Sequence, residues 1–71
     1  MIFEGEYKNG KRDGKGKEFY ENGELKFEGE YKNGERNGKG KEYNYYDYYF
    51  YGLVFDGEYL NGKRNGNGKE F

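Results

Sequence analysis

The sequence predicts an all-β chain: a single-layer antiparallel β-meander or solenoid of three hairpin repeats. Three observations predict it. One 17-residue phrase recurs at 3–19 (FEGEYKNGKRDGKGKEF), 27–43 (FEGEYKNGERNGKGKEY) and 55–71 (FDGEYLNGKRNGNGKEF), with starts 24 and then 28 residues apart. Each phrase opens on a period-two alternation of apolar residue or glycine with charge, the pattern of a strand with one covered face. Each then carries an Asn-Gly turn signal followed by Gly-x-Gly. Recurrence at this period marks a linear array of one supersecondary unit, not a globule around a pocket. The array spans residues 1–71 as one domain, joined by connectors 20–26 and 44–54.

The first strand sets Phe3, Gly5 and Tyr7 on one face and Glu4 and Glu6 on the other. A turn follows within Asn9-Gly10-Lys11-Arg12, then a second strand through Gly14-Lys15-Gly16-Lys17. A two-residue turn at Asn9-Gly10, paired flush, would set Glu6 against Asp13 and Lys8 against Lys11. Like charges face to face destabilise a sheet. A turn centred on Gly10-Lys11 instead pairs Glu4 with Lys17, Glu6 with Lys15 and Lys8 with Asp13, and is the expected register. It places Gly5 opposite Gly16 and Tyr7 opposite Gly14, so that rings can lie across bare glycine backbone. Asn22-Gly23, read as the next two-residue turn, pairs Lys17 with Glu28, Lys15 with Glu30, Gly16 with Gly29 and Gly14 with Tyr31.

Carried through the chain, one face becomes a lattice of acid and base. The other becomes a stripe of rings and glycines: Phe3, Gly5, Tyr7, Gly14, Gly16, Phe27, Gly29, Tyr31, Gly38, Gly40, Phe55, Gly57, Tyr59, Gly66 and Gly68. Flush pairing puts Glu18 on the ring face and Phe19 on the charged face. A bulge near Lys17-Glu18 is expected to turn Phe19 inward.

Composition narrows the function. A chain of 71 residues holds one small core. Ala, Ser, Thr, His, Cys, Pro, Gln and Trp are all absent, and ten Tyr and six Phe must supply that core. Thirteen basic residues stand against fourteen acidic ones, for a net charge of −1, which argues against nucleic acid as a partner. Without cysteine there is no disulfide or thiolate metal site. No apolar run suggests a membrane span or signal peptide, and the default compartment is the cytoplasm.

The ordered series aromatic-x-Gly-x-aromatic, turn glycine, Gly-x-Gly, met three times, resembles the MORN repeat (membrane occupation and recognition nexus). The connector 20–26 also looks like that of a second, bacterial-style MORN variant. The resemblance implies an elongated single-layer antiparallel sheet, one hairpin per repeat, with a scaffold role often close to membranes.

Candidate sites follow. Arg12, Arg36 and Arg64 are the only arginines and share one turn position. With Lys11 and Lys63 they form a candidate row for lipid phosphates or an acidic partner. The plainer reading lays each arginine over a tyrosine (Tyr7, Tyr31, Tyr59). The insertion in connector 44–54 holds Tyr45, Tyr46, Tyr48, Tyr49, Phe50 and Tyr51, read as rings packed on neighbouring repeats, as an exposed aromatic interface, or as a sticky β segment. The stretch from Gly10 to Lys17 is no phosphate loop: the spacing fails and no Ser or Thr follows. No catalytic residues, metal ligands, cofactor or small-molecule substrate are expected, since His, Cys, Ser and Thr are missing and the carboxylates alternate with lysine on an open face.

The expected function is a non-catalytic scaffold that associates with protein. The partner is a second copy or the neighbouring repeats of a longer array, because neither end carries a polar capping segment. The alternatives are peripheral binding to an anionic membrane through the arginine row, glycan binding on the rings, an antitoxin-like partner, and an excised fragment or idealised consensus without a function of its own.

Overall fold

The computed structural model describes residues 2–45 and 48–71. Six strands follow one another in a single sheet in chain order: β1 (Ile2–Lys8), β2 (Lys11–Phe19), β3 (Leu25–Lys32), β4 (Glu35–Tyr45), β5 (Tyr51–Leu60) and β6 (Lys63–Glu70). All neighbours run antiparallel, and no helix occurs among the described residues. The sheet is one layer thick, in a body of 40 × 29 × 13 Å. The all-β meander expected from the sequence is what forms.

Within each repeat the turn is the two-residue Asn-Gly turn, not the Gly10-Lys11 turn that charge pairing favoured. Asn9 and Gly10 have φ of 53° and 77°, Asn33 and Gly34 52° and 86°, Asn61 and Gly62 52° and 82°. Positive φ at both central residues is the type I′ geometry, whose twist matches the flanking strands. Tyr7 therefore faces Arg12, not Gly14, and Lys8 faces Lys11. A bulge between Gly5 and Tyr7 then restores Gly5 opposite Gly16 and Glu4 opposite Lys17. The bulge reconciles a turn and a charge pattern that flush pairing set against each other. The remaining lysine pair lies at an exposed tip, where solvent screens its repulsion.

Glu6 leaves the ladder at this bulge. Its carboxylate accepts the Lys15 N–H (2.8 Å), and Glu30 does the same for Lys39 (3.0 Å). Gly14 and Gly38 beside these contacts have φ of 93° and 98°, and the glutamate occupies the space a side chain would need.

Between repeats the expected pairs form: Gly14–Tyr31, Lys15–Glu30, Gly16–Gly29 and Lys17–Glu28. The loop, however, has three residues instead of two. Tyr20 N–H donates to the Glu24 carbonyl (2.8 Å), and Gly23 N–H to the Tyr20 carbonyl (2.9 Å), with Gly23 at φ 90°. A bulge between Glu18 and Phe19 absorbs the difference; it falls one step later than Lys17-Glu18. The result is a column of glycines across all six strands, Gly5–Gly16–Gly29–Gly40–Gly57–Gly68. Beside it runs a row of alternating charge, Glu4–Lys17–Glu28–Lys41–Asp56–Lys69.

The core is aromatic and small: Phe27, Tyr31, Phe55 and Tyr59 are buried, with Phe3 packed against them. The rings form one edge-to-face zigzag. Tyr7–Phe3 (5.4 Å), Phe3–Tyr31 (5.1 Å), Tyr31–Phe27 (5.6 Å), Phe27–Tyr59 (5.0 Å) and Tyr59–Phe55 (5.5 Å) follow in turn. Edge-to-face contact sets the positive ring edge against the negative ring face. The glycine column makes room for it: a Cβ added to Gly16 would stand 2.5 Å from Phe3 Cζ and 3.0 Å from Tyr31 Cε1.

Candidate functional site

The arginines lie closest over phenylalanine, and where the plainer sequence reading put tyrosine beneath them, Tyr31 and Tyr59 stand farther off. Arg12, Arg36 and Arg64 place their guanidinium carbons 4.2, 4.1 and 4.5 Å from the ring centres of Phe3, Phe27 and Phe55. The register explains this. The type I′ turn sets each arginine opposite the tyrosine of its own repeat, and the side chain reaches along the face to the phenylalanine. The nearest tyrosine belongs to the following repeat: Tyr31 is 5.9 Å from Arg12, and Tyr59 is 5.9 Å from Arg36.

Each guanidinium also meets a carboxylate on the ring face. Glu18, 5% exposed, is the buried charged residue of the described chain. It accepts from Tyr31 Oη (2.6 Å), Arg36 Nε (3.0 Å) and Arg36 Nη2 (3.2 Å), with Arg12 Nη1 at 3.8 Å. Glu42 repeats the arrangement one unit on. It accepts from Tyr59 Oη, from Arg64 Nε (3.0 Å) and from Arg64 Nη2 (3.1 Å), with Arg36 Nη1 at 3.8 Å. A two-pronged arginine–carboxylate pair fixes direction as well as distance. Glutamate of one repeat thus grips tyrosine and arginine of the next.

Burial pushes the Glu18 carboxyl up, but the bonds from Arg36 and Tyr31 and the Arg36 and Arg12 charges outweigh it, so its pKa lies below the usual 4.5. Glu42 is lowered in the same way, burial being outweighed by Arg64, Tyr59 and Arg36. Burial, then the bond to the glutamate, pushes Tyr31 and Tyr59 above the ordinary tyrosine value of 10.0.

This glutamate was the residue that sequence reasoning missed. The signal was present: strand parity put Glu18 on the ring face, where it read as a conflict to be relieved. Glu18 is instead the acceptor that the face is built around. Lys11 and Lys63, grouped with the arginine row from the sequence, are exposed at the turn ends opposite Lys8 and Leu60.

The insertion divides in two. Tyr51 stacks on Tyr43 (6.3 Å), meets Tyr45 edge-on (5.5 Å) and donates to the Leu25 carbonyl. Tyr45 donates to Glu24 and accepts from Asn22 Nδ2 (2.9 Å). These rings are tied to the preceding connector. Tyr48, Tyr49 and Phe50 remain 89%, 83% and 64% exposed at the β4–β5 tip. Tyr46 lies outside the described residues.

Away from the rings, an open trough of about 640 Å³ crosses the charged face between Glu4, Lys17, Glu28, Lys41 and Asp56, floored by glycine backbone. Acid and base alternate around it, so it offers no concentrated field. Among the described residues no group of His, Cys, Asp or Glu could hold a metal ion, and no helix is long and apolar enough to cross a membrane.

A family model for the MORN repeat matches residues 3–24, 27–44 and 55–71. No curated protein and no solved structure matches the chain.

Proposed function

The chain belongs to the MORN-repeat family, and from that membership we propose that it is a non-catalytic scaffold that docks other polypeptides, further copies of itself included. MORN repeats occur in scaffold and membrane-associating proteins. The observation that carries the protein reading is the exposed ring cluster Tyr48, Tyr49 and Phe50 at one hairpin tip. Three consecutive aromatic residues exposed at one hairpin tip suit a protein interface. The arginine row supports the same choice. Its guanidinium groups are engaged by Glu18 and Glu42, which a lipid phosphate would have to displace.

A photoreactive benzoylphenylalanine replacing Tyr48 tests this in cells that make the chain, with Lys32, on the turn side of β3, as the control position. The expected product is a crosslink to polypeptide from position 48 and none from 32. Crosslinking to phospholipid, or equally from both positions, overturns the reading. Salt-sensitive pelleting with phosphatidylserine vesicles would move the function to Arg12, Arg36 and Arg64.

A further inference from the structure

We propose that the two outer strands of this chain are complementary halves of one junction, so that copies add head to tail, β6 of one against β1 of the next. This deepens the scaffold reading, and rests on it, by naming a second copy as partner and the sheet edges as the surface.

The argument is a comparison of junctions. Both internal repeat-to-repeat junctions pair Glu with Phe, Lys with an acid, Gly with Gly, Lys with Glu, and Gly with Tyr. These are Glu18–Phe27 through Gly14–Tyr31 in one, and Glu42–Phe55 through Gly38–Tyr59 in the other. The free edge of β6 presents Glu70, Lys69, Gly68, Asn67 and Gly66 in that order. The free edge of β1 presents Phe3, Glu4, Gly5, Glu6 and Tyr7. Laid together in the internal register, they repeat the pattern at every position except Asn67, which stands where Lys15 and Lys39 do. The charge row would continue unbroken, Lys69 meeting Glu4 of the next copy.

The ring face agrees independently. Tyr31 and Tyr59 are 5% and 3% exposed, each donating to the glutamate of the preceding repeat, whereas Tyr7 is 60% exposed. Glu70 occupies the position of Glu18 and Glu42 in the last repeat. Head-to-tail addition gives Glu70 the Tyr7 hydroxyl and the Arg12 guanidinium of the next copy, and sets Tyr7 against Phe55 as Tyr31 sits against Phe3. Symmetric pairing of β1 against β1 is disfavoured, since it would bring Glu4 and Glu6 together about Gly5. Pairing β6 against β6 about Gly68 would set Lys69 opposite Asn67 and form none of the acid–base pairs of the internal junctions. A head-to-tail contact leaves one edge of each kind free after every addition, so association does not stop at two copies; it runs on as a filament, or closes as a ring where the rotation between copies allows.

Sedimentation velocity of the whole chain tests this. The average mass should climb with concentration without a plateau at dimer. Lys69→Glu and Glu4→Lys should each weaken association about tenfold. An equimolar mixture of the two should restore it, since each then meets an opposite charge on both edges; this rescue also shows both variants folded. Asn67→Lys should strengthen association. A wild-type monomer at every concentration, or a mixture no faster than its components, overturns the proposal. Association that ignores both edge variants but is lost in Tyr48→Ser/Phe50→Ser also overturns it, while leaving the scaffold reading standing on the hairpin tip. A wild-type monomer that still crosslinks to polypeptide from position 48 likewise separates the two.

Discussion

Glu18 and Glu42 link neighbouring repeats through the same three groups, and their ionisation is therefore tied to folding. Both carboxyls have folded-state pKa values below 4.5. Their contribution is fully present above that ordinary value and drains away as pH falls through the folded one. Tyr31 and Tyr59 are raised above 10.0, so their contribution holds below that pH and is lost as pH rises toward the folded value. Urea midpoints measured across pH should trace a plateau between these limits, with a decline on each side. Glu18→Gln keeps the shape and removes the charge facing Arg36. It should cost about 1–3 kcal/mol at neutral pH in urea denaturation and flatten the acid decline. Glu70→Gln, made on the exposed last strand, should leave the monomer's midpoint unchanged. Equal losses from both substitutions would show that Glu18 has no special place. The position of Glu18 was legible from parity alone. Its role was not, because a carboxylate under a ring face makes sense only once Arg36 and Tyr31 from the next repeat converge on it.

At the scale of the hairpin, two local rules competed. Asn-Gly asks for a type I′ turn, and opposite charges ask for facing positions. Flush pairing satisfies one at a time, so weighing charge alone chose the wrong turn. The bulge between Gly5 and Tyr7, repeated between Gly29 and Tyr31, lets both stand. The sequence mark of that bulge is Gly14 and Gly38, the positive-φ glycines beside Glu6 and Glu30. In the third repeat the shift falls between Gly57 and Glu58, and Gly66 has open space around its α-carbon. These glycines yield a matched test. Gly16→Ala drives a methyl into Phe3 and Tyr31 and should cost about 1–3 kcal/mol through overpacking. Gly66→Ala meets nothing and should be neutral, or stabilising by about 0.4–1 kcal/mol through the unfolded chain. Thermal melts of the two variants beside the parent decide it; equal melting temperatures would deny that ring-on-glycine packing limits the sheet.

The whole molecule is a ribbon in which each strand pairs its backbone only with its neighbours in chain order, while side chains reach one strand further, as Phe3 does to Tyr31 and Arg36 to Glu18. Repetition made that architecture legible before any residue was placed. The arginine–phenylalanine stacking was harder to read, since it depends on register and reach together. Buried rings cluster in β3 and β5, while every residue of β6 is exposed. Stability in such arrays approximates a sum of neighbour terms, so amide exchange should be slowest in β3–β5 and fastest in β1 and β6. Uniform protection across the sheet would contradict this gradient. The glycine column has one further result. Gly16, Gly40 and Gly68 each lie against the phenylalanine of their own repeat, Phe3, Phe27 and Phe55. Circulating π electrons in those rings must displace the resonances of the nearby α-protons, giving every repeat its own magnetic label, by which the ribbon can be watched coming apart one unit at a time.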